Sequence, residues 1–539
     1  MTRMKISLVL LLAVAVAAFP IGCASEFTSC EDTLTCDNSA GEGGDTGDGR
    51  AGASSGAGGT DDAGGGQAGD ASGAALQVVD VTPADGDVDV ERLPEIGVTF
   101  SEAIDPSSLT SASVTLEGPE GSIELDIDVE GVLVTAVPAA PLSLLGDYTL
   151  TVASVTSEGG ASLTEDFKVG FEVRDGIWGD VQRLDTSASH FNAETSNSGH
   201  MVAIWATPAS YTVKAAVFDP LMAVWTSVHV LEEASGAIRQ LNLSTHPRGD
   251  VVAHWQRTTA ESNRLARFDA LRGWGPAVPD AIARDIAIAP DRSLVGVWRD
   301  DTQGVFYSAT DNSGAWLEPR LWRADASPLR ILPLTNSVFL LHTLVGSSGL
   351  WGAEFTGEEW SGSPSLGGGR DADTYTLTTS PAGLALVAGT DEQGGGAWIA
   401  EVESGAARVV ELDTGVCFFA EVVFNLANQG IATWMKPPVA RAALRTSDGT
   451  WGSAEDIGPI PEQFFMGPRA GIDAQGNALM VWASEDEFLF QRWIVGRGWQ
   501  PLTPLEFGPG ASPRIVTLAP GDSAMIWTNA TGVWTARFM

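Results

Sequence analysis

The sequence predicts an all-β chain: a β-sandwich over residues 77–175, followed over 176–539 by an eight-bladed β-propeller that an N-terminal strand closes. Three observations lead there. Residues 77–175 break into short alternating runs of Val, Ile, Thr and Leu between Pro, Gly and Asp turn signals, the pattern of strands with one buried face. From Gly176 onward a strand-like run, six times ending in Trp, recurs eight times at spacings of 43 to 50 residues. A period of that length belongs to stacked or radial repeats. The last repeat also stops one strand short, while a matching strand stands ahead of the first.

Arg3 and Lys5 open the chain, followed by an apolar run from Ile6 to Phe19 broken only by Ser7. That run is too short to span a membrane and fits a signal-peptide core, so residues 1–22 are expected to be a targeting segment. The next residues, Pro20-Ile21-Gly22-Cys23, resemble the lipobox of bacterial lipoproteins, with Pro20 where Leu is usual. The resemblance implies that Cys23 becomes a lipidated N-terminus anchoring the chain in a membrane of the bacterial envelope. Ala24 in place of Asp implies onward sorting to the outer membrane. Ordinary cleavage, with Cys23 a plain disulfide partner, is the alternative. With Cys23 acylated, Cys30 and Cys36 are left as a close pair able to form a disulfide outside the cytosol. Cys417, in an apolar stretch, reads as a lone buried thiol.

Residues 23–76 read as a linker. From 37 on it is almost entirely Gly, Ala, Ser, Asp, Thr and Glu with no aromatic residue, too little apolar surface to fold. Such a tether averages roughly 35 Å end to end and reaches about 140 Å when stretched. The whole chain carries 69 acidic against 30 basic residues, a net charge of −39. A field of that sign repels phosphate backbones and excludes nucleic acid as a partner. A monomer is expected.

Within 77–175, seven strands are predicted near 77–82, 95–101, 111–117, 123–129, 131–137, 147–154 and 166–173. The stretches VVDVTPADGDVDV, IGVTFSEAIDPSSLTSASVTL and PAAPLSLLGDYTLTV resemble the bacterial Ig-like domain of S-layer and surface proteins. That resemblance implies an Ig-like sandwich in which the Tyr148 hydroxyl bonds back to the preceding loop.

In 176–539 the aligned positions are Trp205, Trp255, Trp298, His342, Ala388, Trp434, Trp482 and Trp527. A second Trp follows most of these runs after another strand: Trp225, Trp274, Trp316, Trp360, Trp451 and Trp499. Each repeat then divides into four strands, as a propeller blade requires. In the third these are DIAIA, SLVGVW, GVFYSAT and AWLEPRL. IWGDVQRL, with Trp178, matches the fourth-strand pattern and is expected to pair with the final strand TGVWTARFM, removing two exposed edges at once. Seven blades is the alternative, but it orphans one repeat. GNALMVWASEDEFLFQRWIVGRGWQPL resembles a group of secreted bacterial propeller repeats recognised by fold and tied to no single activity.

No catalytic residues, cofactor or metal site are expected. The six His show no ligand spacing, and nucleophile-elbow and phosphate-loop motifs are absent from plausible contexts. SATDNSGAW and RTSDGTW faintly resemble the Asp-box turn of sialidases, but neither keeps its spacing, and Asp boxes are not catalytic. The periodic Trp read as packing between blades rather than as sugar platforms. Arg239, Arg284, Arg330, Arg469 and Arg514 each open the first strand of a repeat. If first strands line the axis, these guanidiniums form a candidate site for a carboxylate or sulfate on an acidic glycan. The competing expectation, which the surplus of acids favours, pairs each Arg with an acid on the adjacent blade. The chain as a whole reads as a non-catalytic surface lipoprotein that binds a protein or polysaccharide. A degenerate sialidase-like enzyme and a purely structural envelope component are the alternatives.

Overall fold

The computed structural model describes residues 75–539, apart from short internal stretches such as 196–200, 281–284 and 461–465. Lipidation at Cys23 and pairing of Cys30 with Cys36 therefore lie outside the described residues, as does Arg284. Strands are the regular structure of the described chain, and one 3-10 turn, Pro106–Ser108, is the only helical element among the described residues. No helix among the described residues is long and apolar enough to cross a membrane. Two compact units divide between Arg174 and Asp175.

The first unit is a two-sheet sandwich. One sheet runs in the order Val78–Thr82, Ile96–Phe100, Leu133–Pro138, Leu125–Glu130; the other Asp87–Val90, Phe167–Val173, Asp147–Val152, Val114–Gly118, Gly121–Ile123. Alternation decides the faces: Ile96, Val98 and Phe100 are buried while Gly97 and Thr99 between them are not, the period of two that a half-buried strand imposes. Two short strands, Asp87–Val90 and Gly121–Ile123, go beyond the seven predicted. Asp87–Val90 is polar and pairs in parallel with Phe167–Val173, so no hydrophobic alternation marks it. The Tyr148 hydroxyl accepts the Ser143 backbone N–H at 2.7 Å, and its ring fills the space beside Gly118, where a Cβ would meet Cε1 at 2.2 Å.

The second unit is a propeller built of antiparallel sheets of at least four strands. Eight first strands follow one another: His190–Thr195, Ile238–Thr245, Asp285–Ile288, Ala326–Pro333, Thr374–Thr379, Phe418–Phe424, Arg469–Ile472 and Ala511–Thr517. Each lies against the next, and Ala511–Thr517 lies against His190–Thr195. Gln182–Asp185 pairs antiparallel with Gly532–Phe538, with Gln182 opposite Thr535 and Arg183 opposite Trp534. Trp178 bridges to Phe538 and packs its ring against Phe490, Phe507 and Phe538. The early strand thus joins the late one. In the third repeat the fourth strand is Arg320–Arg323, slightly later than predicted, and Trp316 sits at an isolated bridge to Thr310 just ahead of it.

Apolar residues of neighbouring sheets interleave between them, as when Leu241 and Leu243 of one sheet pack with Val213 and Val217 of the one before. Trp205, Trp255, Trp434, Trp482 and Trp527 are completely buried, in keeping with a packing role. Trp482 donates its indole N–H to the Pro459 carbonyl at 3.0 Å and Trp527 Nε1 has no hydrogen-bond partner, whereas Trp205, Trp255 and Trp434 share a device. An acid ending the fourth strand of one sheet accepts from the Trp of the next and pairs with that sheet's cations. Asp185 takes Trp205 Nε1 at 2.7 Å and Lys214 Nζ at 2.8 Å. Glu232 takes Trp255 at 2.8 Å and Arg264 at 3.0 Å, and Arg257 as well. Asp413 takes Trp434 at 3.1 Å and Lys436 at 2.7 Å, and Arg441 as well. The Asp185 clasp ties the last sheet to the first with the chemistry used at internal boundaries.

Candidate functional site

The candidate site lies where the first strands converge. Counted back from the last residue of each first strand, the third position before it holds Asn192, Asn242, Asp285, Arg330, Thr376, Glu421, Arg469 and Arg514. Every sheet contributes one, and all eight are polar. A strand turns alternate side chains to opposite faces. On these strands the alternate positions, such as Leu241, Ile286, Ile331, Leu377, Val422 and Ala470, are spent on the apolar clusters between sheets.

Three of the predicted arginines therefore share one level. Arg469 donates to Glu421 Oε1 of the adjacent sheet at 3.0 Å. Arg330 lies 3.7 Å from Asp285 of the adjacent sheet and 3.9 Å from Glu194, which belongs to the first sheet. Arg514 is buried beside Pro513, whose carbonyl it reaches at 3.2 Å. Pairing with acids on adjacent blades thus describes Arg469 and Arg330. Arg239 stands apart: it is exposed and lies three residues earlier than Asn242, the residue of its strand that joins the ring. A register shift between Ile238 and Gln240 separates it from the level of the others.

Sequence reasoning missed Glu194, Asn192 and Asn242. Glu194 is 5% exposed. Burial pushes its carboxyl up to about 8, against the opposing pull of Arg330 and with a further push from Asp285; Arg514 and a hydrogen bond from Thr245 also pull it down. His254, behind the same level, is driven down to about 4 by burial and by Arg330. Burial therefore favours the uncharged form of both groups. Glu194, Ser244, Thr245 and Arg330 line a small cavity with Leu243, Leu332 and Leu377, with room for about one water molecule. Asn192 and Asn242 are 0% and 2% exposed, and neither amide has a hydrogen-bond partner at nitrogen or oxygen; the Ser244 hydroxyl and Glu421 Oε2 also lack one. Buried polar groups are rarely left so.

No group of three or more His, Cys, Asp or Glu among the described residues is placed to hold a metal. Cys417 is a buried free thiol pushed up to about 11 by burial. His342 is completely buried and meets Trp322 edge-on at 5.0 Å, a packing contact.

Residues 72–173 match the model of the bacterial Ig-like domain, a module typical of bacterial surface proteins. No curated protein matches the chain. Among solved structures it is similar to the Dos1 propeller, at 10% identity and TM-score 0.46, covering 67% of this chain and 95% of that one. It is also similar to the β-propeller domain of the Trilobed protease from Pyrococcus furiosus, at 8% identity and TM-score 0.34, covering 62% and 96%. A third similarity is to the intramolecular trans-sialidase from Ruminococcus gnavus, at 10% and 0.32, covering 66% and 95%. At those values the pairing of the sheets, and not the likeness, carries the architecture.

Proposed function

We propose that this chain is a non-catalytic surface lipoprotein of the bacterial envelope that binds a protein or polysaccharide through an eight-bladed propeller. Cys23 would anchor it, probed by metabolic labelling with a fatty acid and by its loss in Cys23→Ala. The linker and Ig-like unit would hold the propeller away from the membrane. The eight consecutive first strands, with the last against the first, support the blade count, and the pairing of Gln182–Asp185 with Gly532–Phe538 supports closure by the N-terminal strand. A rigid disc with variable connecting loops is a ready platform for recognition.

The observation that carries the non-catalytic reading is the fit of the centre. Glu194, whose carboxyl burial pushes up, faces a cavity with room for about one water, too small to seat a sugar ring between paired carboxyls. Arg330 and Arg469 already face carboxylates, which turns the expected ligand away from the centre and toward the loops. The test is an array of bacterial and host glycans, with a parallel pull-down from envelope extracts, probed with the full mature chain. Saturable binding to one glycan or protein is expected. Two blank results favour a purely structural envelope component. Turnover of a sialoside that Glu194→Gln abolishes would replace this reading with the degenerate sialidase-like enzyme, to which the raised Glu194 beside Asp285 gives its one point of support.

A further inference from the structure

Each sheet of the first unit ends in two edges, and three of those four are blunted. Val78–Thr82 shifts register between Val78 and Asp80. Asp87–Val90 shifts between Asp87 and Val90 and carries Asp89 in the left-handed region, at φ 62°. Gly121–Ile123 is only three residues long. Breaks of this kind keep a further strand from pairing. Leu125–Glu130, which ends its sheet, has none of them: its six residues all pair with Leu133–Pro138 in one unbroken register. Alternate residues of such an edge turn their N–H and C=O groups away from the sheet, toward water or an added strand. The side chains alternate as cleanly. Asp126, Asp128 and Glu130 are exposed on one face, while Leu125, Ile127 and Val129 are half-buried against the core. The three basic residues of 77–175 lie elsewhere. Lys168 is on the other sheet, Arg92 reaches the Leu142 carbonyl and Arg174 pairs with Glu91.

That row of carboxylates selects what can dock. Two copies of this edge, paired antiparallel about Asp128, would set Asp128 against Asp128 and Asp126 against Glu130. Like charges directly opposite one another destabilise a strand pair, and opposite charges stabilise it. We propose that the Leu125–Glu130 edge binds an extended basic segment of a partner protein by strand addition, with alternate Lys or Arg opposite Asp126, Asp128 and Glu130. The residues between them are apolar and lie beside Leu125, Ile127 and Val129, extending the half-buried face. In this mode main-chain hydrogen bonds supply affinity and alternate side chains choose the partner. The edge belongs to the Ig-like unit, so it is separate from ligand binding by the propeller, and either can fail without the other.

The test is fluorescence anisotropy of a short labelled peptide, Lys alternating with Val and blocked at both ends, titrated with the full chain. Saturable binding is expected, about tenfold weaker for a peptide of the same composition ordered as a Lys block and a Val block. Methylating alternate backbone nitrogens on the pairing side of the peptide is expected to abolish it. The combined variant Asp126→Thr, Asp128→Thr, Glu130→Gln is expected to weaken binding about tenfold, whereas Asp80→Thr, on the opposite edge of the same sheet, leaves it unchanged. Hydrogen exchange on the wild-type chain gives a second readout that does not depend on how the variants fold: saturating peptide is expected to slow the amides of Leu125–Glu130. No binding, equal affinity for the alternating and block peptides, unchanged exchange across Leu125–Glu130, or cross-linking of two wild-type copies through this edge overturns the proposal.

Discussion

The rim and the centre of the propeller treat buried polar groups in opposite ways. At the rim, Asp185, Glu232 and Asp413 each meet an indole N–H and at least one cation. Burial pushes each carboxyl up, but those donors outweigh it and hold all three below the usual carboxylate range. At the centre, Glu194 is instead pushed up to about 8 by burial, and two asparagine amides have no partner. Both places are polar and buried, so burial alone does not separate them. These three clasps pair their acids with donors already present. The centre does not do this for Asn192 and Asn242, whose amide nitrogen and oxygen both lack a partner.

Substitutions at four positions break or sharpen that contrast. The largest loss is expected at the rim from Trp255→Ala, which empties a completely buried site and strands Glu232: about 3–5 kcal/mol, read as a fall in the melting temperature of the propeller. At the centre, Glu194→Gln is expected to show its effect through pH. Its carboxyl is higher in the folded chain, about 8, than its ordinary value of 4.5, so the folded state keeps a proton that the unfolded state gives up. Wild-type stability therefore falls as pH rises from about 4.5 to about 8 and levels off above that, while the variant does not share the fall. The gap between them should open by about 2–4 kcal/mol over that window, although Asp285, Arg330, Arg514 and Thr245 all face the group and set its size. Melting temperatures at pH 5, 7 and 9 check it, and parallel curves for the two proteins would show that Glu194 is ionised throughout.

Next comes Asp413→Ala, which leaves Trp434, Lys436 and Arg441 facing an empty corner, with an expected loss of about 2 kcal/mol. Asp413→Asn, which keeps an acceptor for the indole, should recover part of it. The smallest effect belongs to Arg239→Ala. This side chain is exposed and outside the ring, so the melting temperature is expected to move by less than the equivalent of about 0.5 kcal/mol. A drop comparable to that of Asp413→Ala would place Arg239 in the structural network after all.

Much of this was legible in the residues because periodicity reports burial. The Trp spacing marks a position that six repeats fill with Trp and two with His342 and Ala388; Trp205, Trp255 and Trp434 are as buried as a packing role requires, and Trp298 is partly buried. The short fourth-strand pattern around Trp178 named its partner because an unpaired edge at one end of the chain matched one at the other. The rim acids left a trace that went unread: Leu184-Asp185, Leu231-Glu232 and Leu412-Asp413 each precede the next Trp by 20 to 23 residues.

The ring was harder. Membership depends on counting back from a turn, and the bulges between Ile238 and Gln240, Pro328 and Arg330, and Ala511 and Arg514 shift where an arginine near a strand's start ends up. A search for arginines alone also passes over the asparagines, threonine and acids that complete the circle. Nothing in the spacing distinguishes Asn192 from a turn residue until the strand around it is placed.

Closure of the propeller by its first strand is the claim on which both rim and centre depend, and a disulfide across that seam tests it most directly. Arg183 and Trp534 are opposite one another in the Gln182–Asp185 and Gly532–Phe538 pair, with the guanidinium over the indole at 5.6 Å. In the double variant R183C/W534C, mild oxidation is expected to form an intramolecular bond between the two positions, identified by peptide mass mapping, and to raise the melting temperature of the propeller. Two thiols that stay free under oxidation in a folded chain, with no change in melting temperature, would contradict the closed ring.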